Sequence, residues 1–456
     1  MCSLVNKNKI KNSSRYLAVE ILEKIETKGA YSNLLLRETI SEKNLSKQDT
    51  NLLTELVYGV LQNQLLLDYQ LSDFLKKKQK LDNWVRQLLR ISLYQMDFLD
   101  RIPAHAIINE AANIARIRGH RGVVGLVNAI LRNIQRKGVR DPKEIKDPSN
   151  RISVQYSLPL WLINEFIEDL GIKEAEKLAA SLNENPKLSL RVNIENISRE
   201  EAIRELKEEE YQAEKSEISP YGIIVLNGVP TNSRLFKEGD LTVQDESSML
   251  VAPALNVEEN HWVLDAAAAP GGKTMHIAVN FLNKEKGGKI TALDIHEHKI
   301  NLIKENAKRQ GVEDIVSTKQ MDAREVLDVF PKETFDRVLL DAPCSGLGLM
   351  RRRPEIRYNK TKEDILSLQK LQLELLNAVS QVLKPGGEMI YSTCTITHLE
   401  NQEVVAQFLK ENKDFVQIDV PTASEALENN TDGSLMLYPH QYDTDGFYIA
   451  HLKKIV

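Results

Sequence analysis

The chain has 456 residues, 42% hydrophobic and 27% charged, with a formal net charge of −5 at pH 7. At roughly 100–200 residues per domain that length predicts two to four domains, and this balance excludes a disordered, collagenous or disulfide-stapled chain. No apolar run approaches the ~18 residues of a membrane span, the N-terminal residues lack the apolar stretch of a secretion signal, and the three cysteines, Cys2, Cys344 and Cys394, are a sparse, odd set that suits the reducing cytosol.

Residues 1–150 carry 25 Lys and Arg against 16 Asp and Glu, a charge of +9, so the remainder stands at −14. A basic arm on an acidic body predicts a polyanionic partner. The arm is expected to be an all-helical domain over 1–147. Leu17, Ile21, Leu22 and Ile25 recur at helical spacing, as do Leu52, Leu53, Leu56, Val57, Val60 and Leu61. Ser46 stands where it would cap the second of these helices. From Ala111 to Val139 there is no acidic residue, and the stretch holds Arg116, Arg118, His120, Arg121, Arg132, Arg136 and Lys137. It reads either as a solvated helix face or as a surface for RNA or DNA. A second run, Lys76-Lys77-Lys78 with Lys80, reads as solvated surface. Asp141-Pro142 and Asp147-Pro148 then break the helical pattern and mark a linker.

Residues 151–257 mix types and predict a small α/β connector. Leu160–Leu170 and Lys173–Leu182 read as helices, Leu188–Asn193 and Gly222–Leu226 as strands, and Ser198 with Glu201 forms a capping box. Residues 258–456 alternate short apolar strands with helices. The strands are Trp262–Asp265, Lys289–Asp294, Ile315–Met321, Phe335–Asp341 and Glu388–Ser392, with Lys384-Pro-Gly-Gly387 as a turn before the last. This pattern predicts a parallel sheet covered on both faces, with ligands at the carboxyl ends of its strands.

The residues at those ends carry the chemistry. After the first strand comes Ala266-Ala267-Ala268-Ala269-Pro270-Gly271-Gly272-Lys273-Thr274. A phosphate-binding P-loop needs Gly where Ala267 stands, and the dinucleotide pattern GxGxxG is absent. What remains is a loop of small residues that a ligand can approach closely. Asp294, 29 residues after Asp265, is placed to accept both ribose hydroxyls of an adenosyl group. Asp322 and Asp341 follow the next two strands. Four strand-end aspartates in this order point to an S-adenosylmethionine site.

Cys344 follows the fourth strand in Asp341-Ala-Pro-Cys-Ser-Gly, and Cys394 follows the fifth in Tyr391-Ser-Thr-Cys-Thr. Neighbouring strands lie ~5 Å apart, so both thiols are expected at one pocket. A zinc site would want further Cys or His at ligand spacing; the only close pair, His296 and His298, is expected on a surface helix, so no metal is expected. A thiol beside a methyl donor has a chemical purpose. Carbon 5 of a pyrimidine is a poor nucleophile until a thiolate adds to carbon 6 and turns the ring into an enamine. Covalent catalysis of this kind divides one hard step into easier ones. Asp341 is placed to bond the ring N3 and amino group. Spacing alone does not say which thiol attacks.

These motifs resemble the RNA cytosine-5 methyltransferases of the Nol1/Nop2/Sun group. The helical segment resembles the RNA-binding fold of the antitermination factor NusB, and the fusion resembles group members that act on ribosomal RNA. The resemblance implies an α/β, Rossmann-like methyltransferase domain using S-adenosylmethionine on a cytosine of 16S rRNA, in a cytoplasmic protein that needs no partner copy. It implies that Cys394 is the nucleophile and that Cys344 assists proton removal and enzyme release. It further implies that Ala267, Ala268, Ala269, Pro270, Gly271, Gly272, Lys273, Asp294, Asp322 and Asp341 line the cofactor site, and that Arg351, Arg352 and Arg353 grip phosphates near the target base. Related enzymes often carry Cys where Ala267 stands. Two other readings share these residues: an RNA-binding assembly or transcription factor with a relic enzyme domain, and the same chemistry on transfer RNA or DNA.

Overall fold

The computed structural model describes residues 2–76, 80–422 and 424–455; Lys77 and Lys78 of the lysine run lie outside them. By packing the chain divides into two units, one running to Glu184 with Met350–Asn359 added, the other holding Asn185–Leu349 and Lys360–Val456.

The first unit is helical. Its helices include Ser14–Lys28, Ser32–Lys43, Lys47–Gln62, Asn83–Phe98, Ala104–Arg118 and Arg121–Lys137, followed by Pro148–Tyr156, Leu160–Leu170 and Ile172–Ser181. Helix starts and stops follow local chemistry. Ser46 caps Lys47–Gln62 by accepting from the Asp49 N–H, as expected, and Gly29 closes Ser14–Lys28 at φ 63°, a left-handed conformation that glycine adopts without cost. The apolar positions read from the spacing form one core: Leu17, Ile21, Leu53, Leu56, Val57 and Val60 are each at most 2% exposed. Burial of such side chains is worth ~1.5–3 kcal/mol apiece.

Met350–Asn359 is built into this unit by polar contacts. Glu355, 1% exposed, accepts from the Ser32 N–H at 3.0 Å and the Ser32 hydroxyl at 2.8 Å. The Arg357 guanidinium is fully buried and donates to the Leu182 carbonyl at 3.1 Å and to Asn183 Oδ1 at 2.8 Å, with three further carbonyls within reach. The Tyr358 hydroxyl lies 2.8 Å from the Leu61 carbonyl. Arg353 sits over the Tyr31 ring.

The second unit contains two sheets. The smaller holds β1 (Leu188–Val192), β2 (Gln212–Lys215), β3 (Gly222–Asn227) and β4 (Leu241–Val243), in the antiparallel order β2-β3-β1-β4. Helix Arg199–Glu208 carries the expected capping box of Ser198 and Glu201. The larger sheet holds β5 (Trp262–Asp265), β6 (Lys289–Asp294), β7 (Val316–Gln320), β8 (Phe335–Asp341), β9 (Leu383–Thr393), β10 (Phe415–Ile418), β11 (Leu435–Leu437) and β12 (Phe447–Lys454). Its order is β10-β12-β9-β8-β5-β6-β7, with β11 paired to β12.

The sheet is α/β and doubly wound as expected, but it is mixed rather than wholly parallel. β5 to β9 pair in parallel, whereas β12 lies antiparallel to β9 and to β10. The last strands follow β9 without the strand–helix alternation that signals a parallel unit. β12 is buried along most of its length, which leaves no period-two pattern to read. The Lys384-Pro-Gly-Gly387 segment does not end before a strand but lies within β9, at a register shift against β8; Gly386 at φ 74° supplies its left-handed residue. No helix among the described residues is long and apolar enough to cross a membrane.

Candidate active site

The chain leaves β5 toward β6 and β7 on one side and returns to β8 and β9 on the other. The crevice outside the carboxyl ends of β5 and β8 is therefore where this topology places a ligand. A cavity of about 370 Å³ opens there, lined in part by Ala266, Ala267, Ala269, Asp294, Asp322, Asp341, Cys344 and Cys394. That volume lies within the range of small-molecule sites.

Each strand-end aspartate is held differently. Asp265 is 1% exposed and sits behind the cavity wall, accepting from the Thr274 hydroxyl at 2.6 Å. Burial pushes its carboxyl up to about 7; the Thr274 hydrogen bond opposes this and the nearby Asp341 adds to it. Asp294 accepts the His296 N–H at 2.9 Å and presents its carboxylate to the cavity. Asp322 lies two residues beyond β7, not at its end, and caps a short turn by accepting the Arg324 N–H. The Arg324 guanidinium also pairs with it, at 2.7 Å, and holds its carboxyl below the ordinary range. Asp341 takes the Lys273 ammonium at 2.7 Å on one oxygen and the Ser392 hydroxyl at 2.8 Å on the other.

The small-residue loop divides into wall and frame. Ala267 and Ala269 face the cavity. Ala268 is tied to β6 by its N–H on the Leu293 carbonyl, and Gly271, at φ 100°, turns the chain into helix Gly272–Asn280. Lys273 and Thr274 stand in the first turn of that helix, which so grips Asp341 and Asp265 together. Burial opposes the Lys273 ammonium, but Asp341, with Cys394 and Asp265 behind it, raises its pKa above the ordinary value. Pro270 offers its carbonyl to Asn306. Arg191 of β1, which the sequence did not single out, donates to the Gly272 carbonyl at 2.7 Å.

The two thiols meet: Cys344 Sγ and Cys394 Sγ are 3.3 Å apart. The hydrogen bond to Cys394, burial, and the charges of Cys394 and Glu400 push the Cys344 thiol well above its ordinary value. The Gly348 N–H donates to the Cys394 carbonyl at 3.0 Å, and a Cβ on Gly348 would fall 1.9 Å from the Gly446 carbonyl oxygen, so only glycine fits there. Among the described residues no group of three or more His, Cys, Asp or Glu could hold a metal ion.

The basic residues belong to the helical unit. Arg121, Arg132, Arg136 and Lys137 are exposed on helix Arg121–Lys137, whose opposite face buries Val127, Ile130, Leu131 and Ile134. Exposed Gly122, Gly125 and Ala129 lie between Arg121 and Arg132. Arg116, on the preceding helix, is exposed; Arg118 is engaged by Glu23 at 2.6 Å and lies over Trp84. Arg351 is 3% exposed, which makes it a packed side chain, and Arg352 and Arg353 are half-buried.

A doubly wound sheet with a ligand crevice, two facing thiols and a basic helical unit describes an RNA-directed methyltransferase, and comparison with known proteins agrees. A family model described as 16S rRNA methyltransferase RsmB/F matches residues 252–453, the NusB family matches 12–136, and a ferredoxin-like domain of the RsmF/B methyltransferases matches 158–232. The probable ribosomal RNA small subunit methyltransferase B of Bacillus subtilis is 44% identical, covering 97% of this chain and 99% of that one. Ribosomal RNA small subunit methyltransferase B of Klebsiella pneumoniae is 33% identical, over 96% and 98%. Among solved structures, PH0851 aligns with a TM-score of 0.81 at 28% identity over 97% of this chain and 99% of that one. NSun6 from Pyrococcus horikoshii, crystallised with SFG, aligns with a TM-score of 0.58 at 25% identity over 65% and 98%. The chain belongs to the ribosomal RNA small subunit methyltransferase B family, and is an rRNA methyltransferase.

Proposed function

We propose that this enzyme methylates carbon 5 of one cytosine in 16S rRNA through a transient bond between Cys394 and carbon 6. The observation that carries the reading is the pair of thiols, 3.3 Å apart at the rim of the cavity that Asp341 also lines. Methylation of oxygen or nitrogen needs no sulfur there; methylation of carbon 5 does.

The cavity suits S-adenosylmethionine by its donor set. Ala266, Ala267 and Ala269 leave room, and Asp294, Asp322 and Asp341 bring carboxylates to the same cavity. Asp294 is proposed to take the ribose hydroxyls, and Ala268, Pro270, Gly271, Gly272 and Lys273 to shape the loop behind the cavity wall. When bound, that cofactor supplies the methyl group. Cys344 keeps the proton that the two sulfurs share, because its environment disfavours the thiolate. The resemblance of the Tyr391-Ser-Thr-Cys394-Thr motif assigns the attack to Cys394, which has the Lys273 ammonium near it. Asp341 accepts from the ring amino group, and from the ring N3 when that nitrogen carries a proton, which favours addition. Once carbon 5 carries the methyl group, Cys344 gives its proton to the departing Cys394 sulfur and takes up the proton of carbon 5 in its place; the electron pair of that C–H bond re-forms the ring double bond as the sulfur–carbon bond breaks.

The target base has to leave any helix to reach the thiols. Arg116, Arg121, Arg132, Arg136 and Lys137 are proposed to hold the RNA backbone, with Arg118, Arg352 and Arg353 contributing at their exposed edges and the buried Arg351 supporting its neighbours. Domain limits of 1–147, 151–257 and 258–456, a cytosolic location and a monomeric state complete the proposal. Bisulfite sequencing of 16S rRNA from cells with and without the protein tests it. One cytosine is expected to lose its protection in the deleted strain, and identical maps would end this substrate assignment.

A further inference from the structure

Beneath the thiols lies a carboxylate that the mechanism above does not use. Glu400, fully buried, sits in a short turn after β9. Five neutral donors reach its side chain. They are the Ser345 N–H at 2.7 Å, the Ser345 hydroxyl at 2.6 Å, and the hydroxyls of Thr397 at 3.0 Å and Thr395 at 3.2 Å. The fifth is the Gln372 amide at 3.1 Å. Ser345 follows Cys344 and Thr395 follows Cys394, so one carboxylate ties both cysteine loops. Asn401 completes the hold. Its Oδ1 accepts from the Thr393 hydroxyl at 2.5 Å and its Nδ2 donates to the Thr395 carbonyl at 3.1 Å, gripping the residues on both sides of Cys394.

Burying an ionised carboxylate is expensive, and neutral hydrogen bonds offset the cost only when they are many and well directed. An amide in its place would itself bring two N–H donors to face these donors. A carboxylate accepts on every lone pair, and adds negative charge beside Cys344.

We infer that Glu400 and Asn401 are positioning residues for methyl transfer, a latch that ties the two cysteine loops together, fixes the spacing of the two thiols and sets a carboxylate beside Cys344. The inference rests on the two-thiol reading. The groups that face Cys344 are Cys394, Glu400 and Tyr391, with Asp341 and Lys273 beyond the second sulfur. Of these, Glu400 is the carboxylate acting directly on Cys344.

The experiment follows alkylation of Cys344 by iodoacetamide as a function of pH, read by peptide mass spectrometry on the full-length, RNA-free protein, alongside kcat and KM. Glu400→Gln is expected to lower the pH midpoint of Cys344 alkylation by about one unit. It is also expected to reduce kcat ~10–100-fold while KM for RNA stays within about threefold, since a displaced reacting group costs turnover rather than binding. An unchanged midpoint, or activity lost only in proportion to folded protein, overturns the inference. Should Glu400→Gln fail to fold, Ser345→Ala removes one donor and keeps its N–H. It is expected to lower kcat, and Ser345→Thr, which retains the hydroxyl, to restore it; no loss, or no rescue, overturns the inference equally. The alkylation curve needs no substrate, so its outcome is independent of which base is methylated.

Discussion

Asp341 joins the stability of the site to its chemistry, and the two are separable by experiment. Its carboxylate pairs with a Lys273 ammonium whose side chain is 13% exposed, while its own is 31% exposed. Breaking a fully buried pair costs about 3–5 kcal/mol. The open cavity around Asp341 lowers this to ~1–3 kcal/mol for Asp341→Asn, which keeps an acceptor for Ser392 but leaves the lysine charge unbalanced. Lys273→Met should cost less, because Asp341 retains the Ser392 hydroxyl and solvent. The double variant removes both charges and should be more stable than the sum of the two losses predicts, with a coupling of ~1–2 kcal/mol. Activity should behave otherwise. Without the carboxylate that bonds the cytosine edge, kcat should fall ~10²–10³-fold in Asp341→Asn and should not recover in the double variant. Urea denaturation and single-turnover methyl transfer measure the two quantities. Additive stabilities would show that the pair is not coupled; an Asp341→Asn enzyme within threefold of wild-type kcat would remove Asp341 from the chemistry.

Asp265 titrates near pH 7 in the native state and near 3.8 unfolded, so the native state binds the extra proton between those values and stability falls as pH rises through them. The penalty is at most ~4 kcal/mol. Asp265→Asn should flatten the melting temperature between pH 5 and 8, and an unchanged slope would contradict the assignment. Arg357→Met leaves the Leu182 carbonyl and Asn183 Oδ1 without their buried donor, so the helical unit should lose ~1–3 kcal/mol in denaturant titrations; unchanged or increased stability would contradict this. Replacing Arg121, Arg132 and Arg136 together by Ala should weaken RNA binding and make its logarithmic salt dependence shallower by about 2, at ~0.7 for each phosphate no longer neutralised. An unchanged slope in filter binding would take this helix face out of the RNA interface.

Strong local signals were legible in the sequence. The limits of Trp262–Asp265, Lys289–Asp294 and Phe335–Asp341 follow from apolar runs ended by aspartate, and the caps at Ser46 and Ser198 from side chains that compete for helix N–H groups. The meeting of Cys344 and Cys394 was legible because adjacent parallel strands align their ends. Long-range placement was not. β10 to β12 enter antiparallel, with no strand–helix alternation to announce them. Arg351 is buried because Met350–Asn359 packs in the helical unit, and a run of arginines looks the same in sequence whether it is packed or solvated. Glu400 and Asn401 carry no motif of their own. Their signal was Ser and Thr beside both cysteines, hydroxyls that require a buried acceptor.

The most direct test incubates Cys344→Ala and Cys394→Ala, separately, with 16S rRNA and S-adenosylmethionine and follows each on a denaturing gel. Attack by Cys394 predicts a covalent protein–RNA band that accumulates in Cys344→Ala, where release is impaired, and no such band in Cys394→Ala. A band in Cys394→Ala alone would exchange the roles of the sulfurs, and full turnover in an enzyme lacking both would refute covalent catalysis altogether.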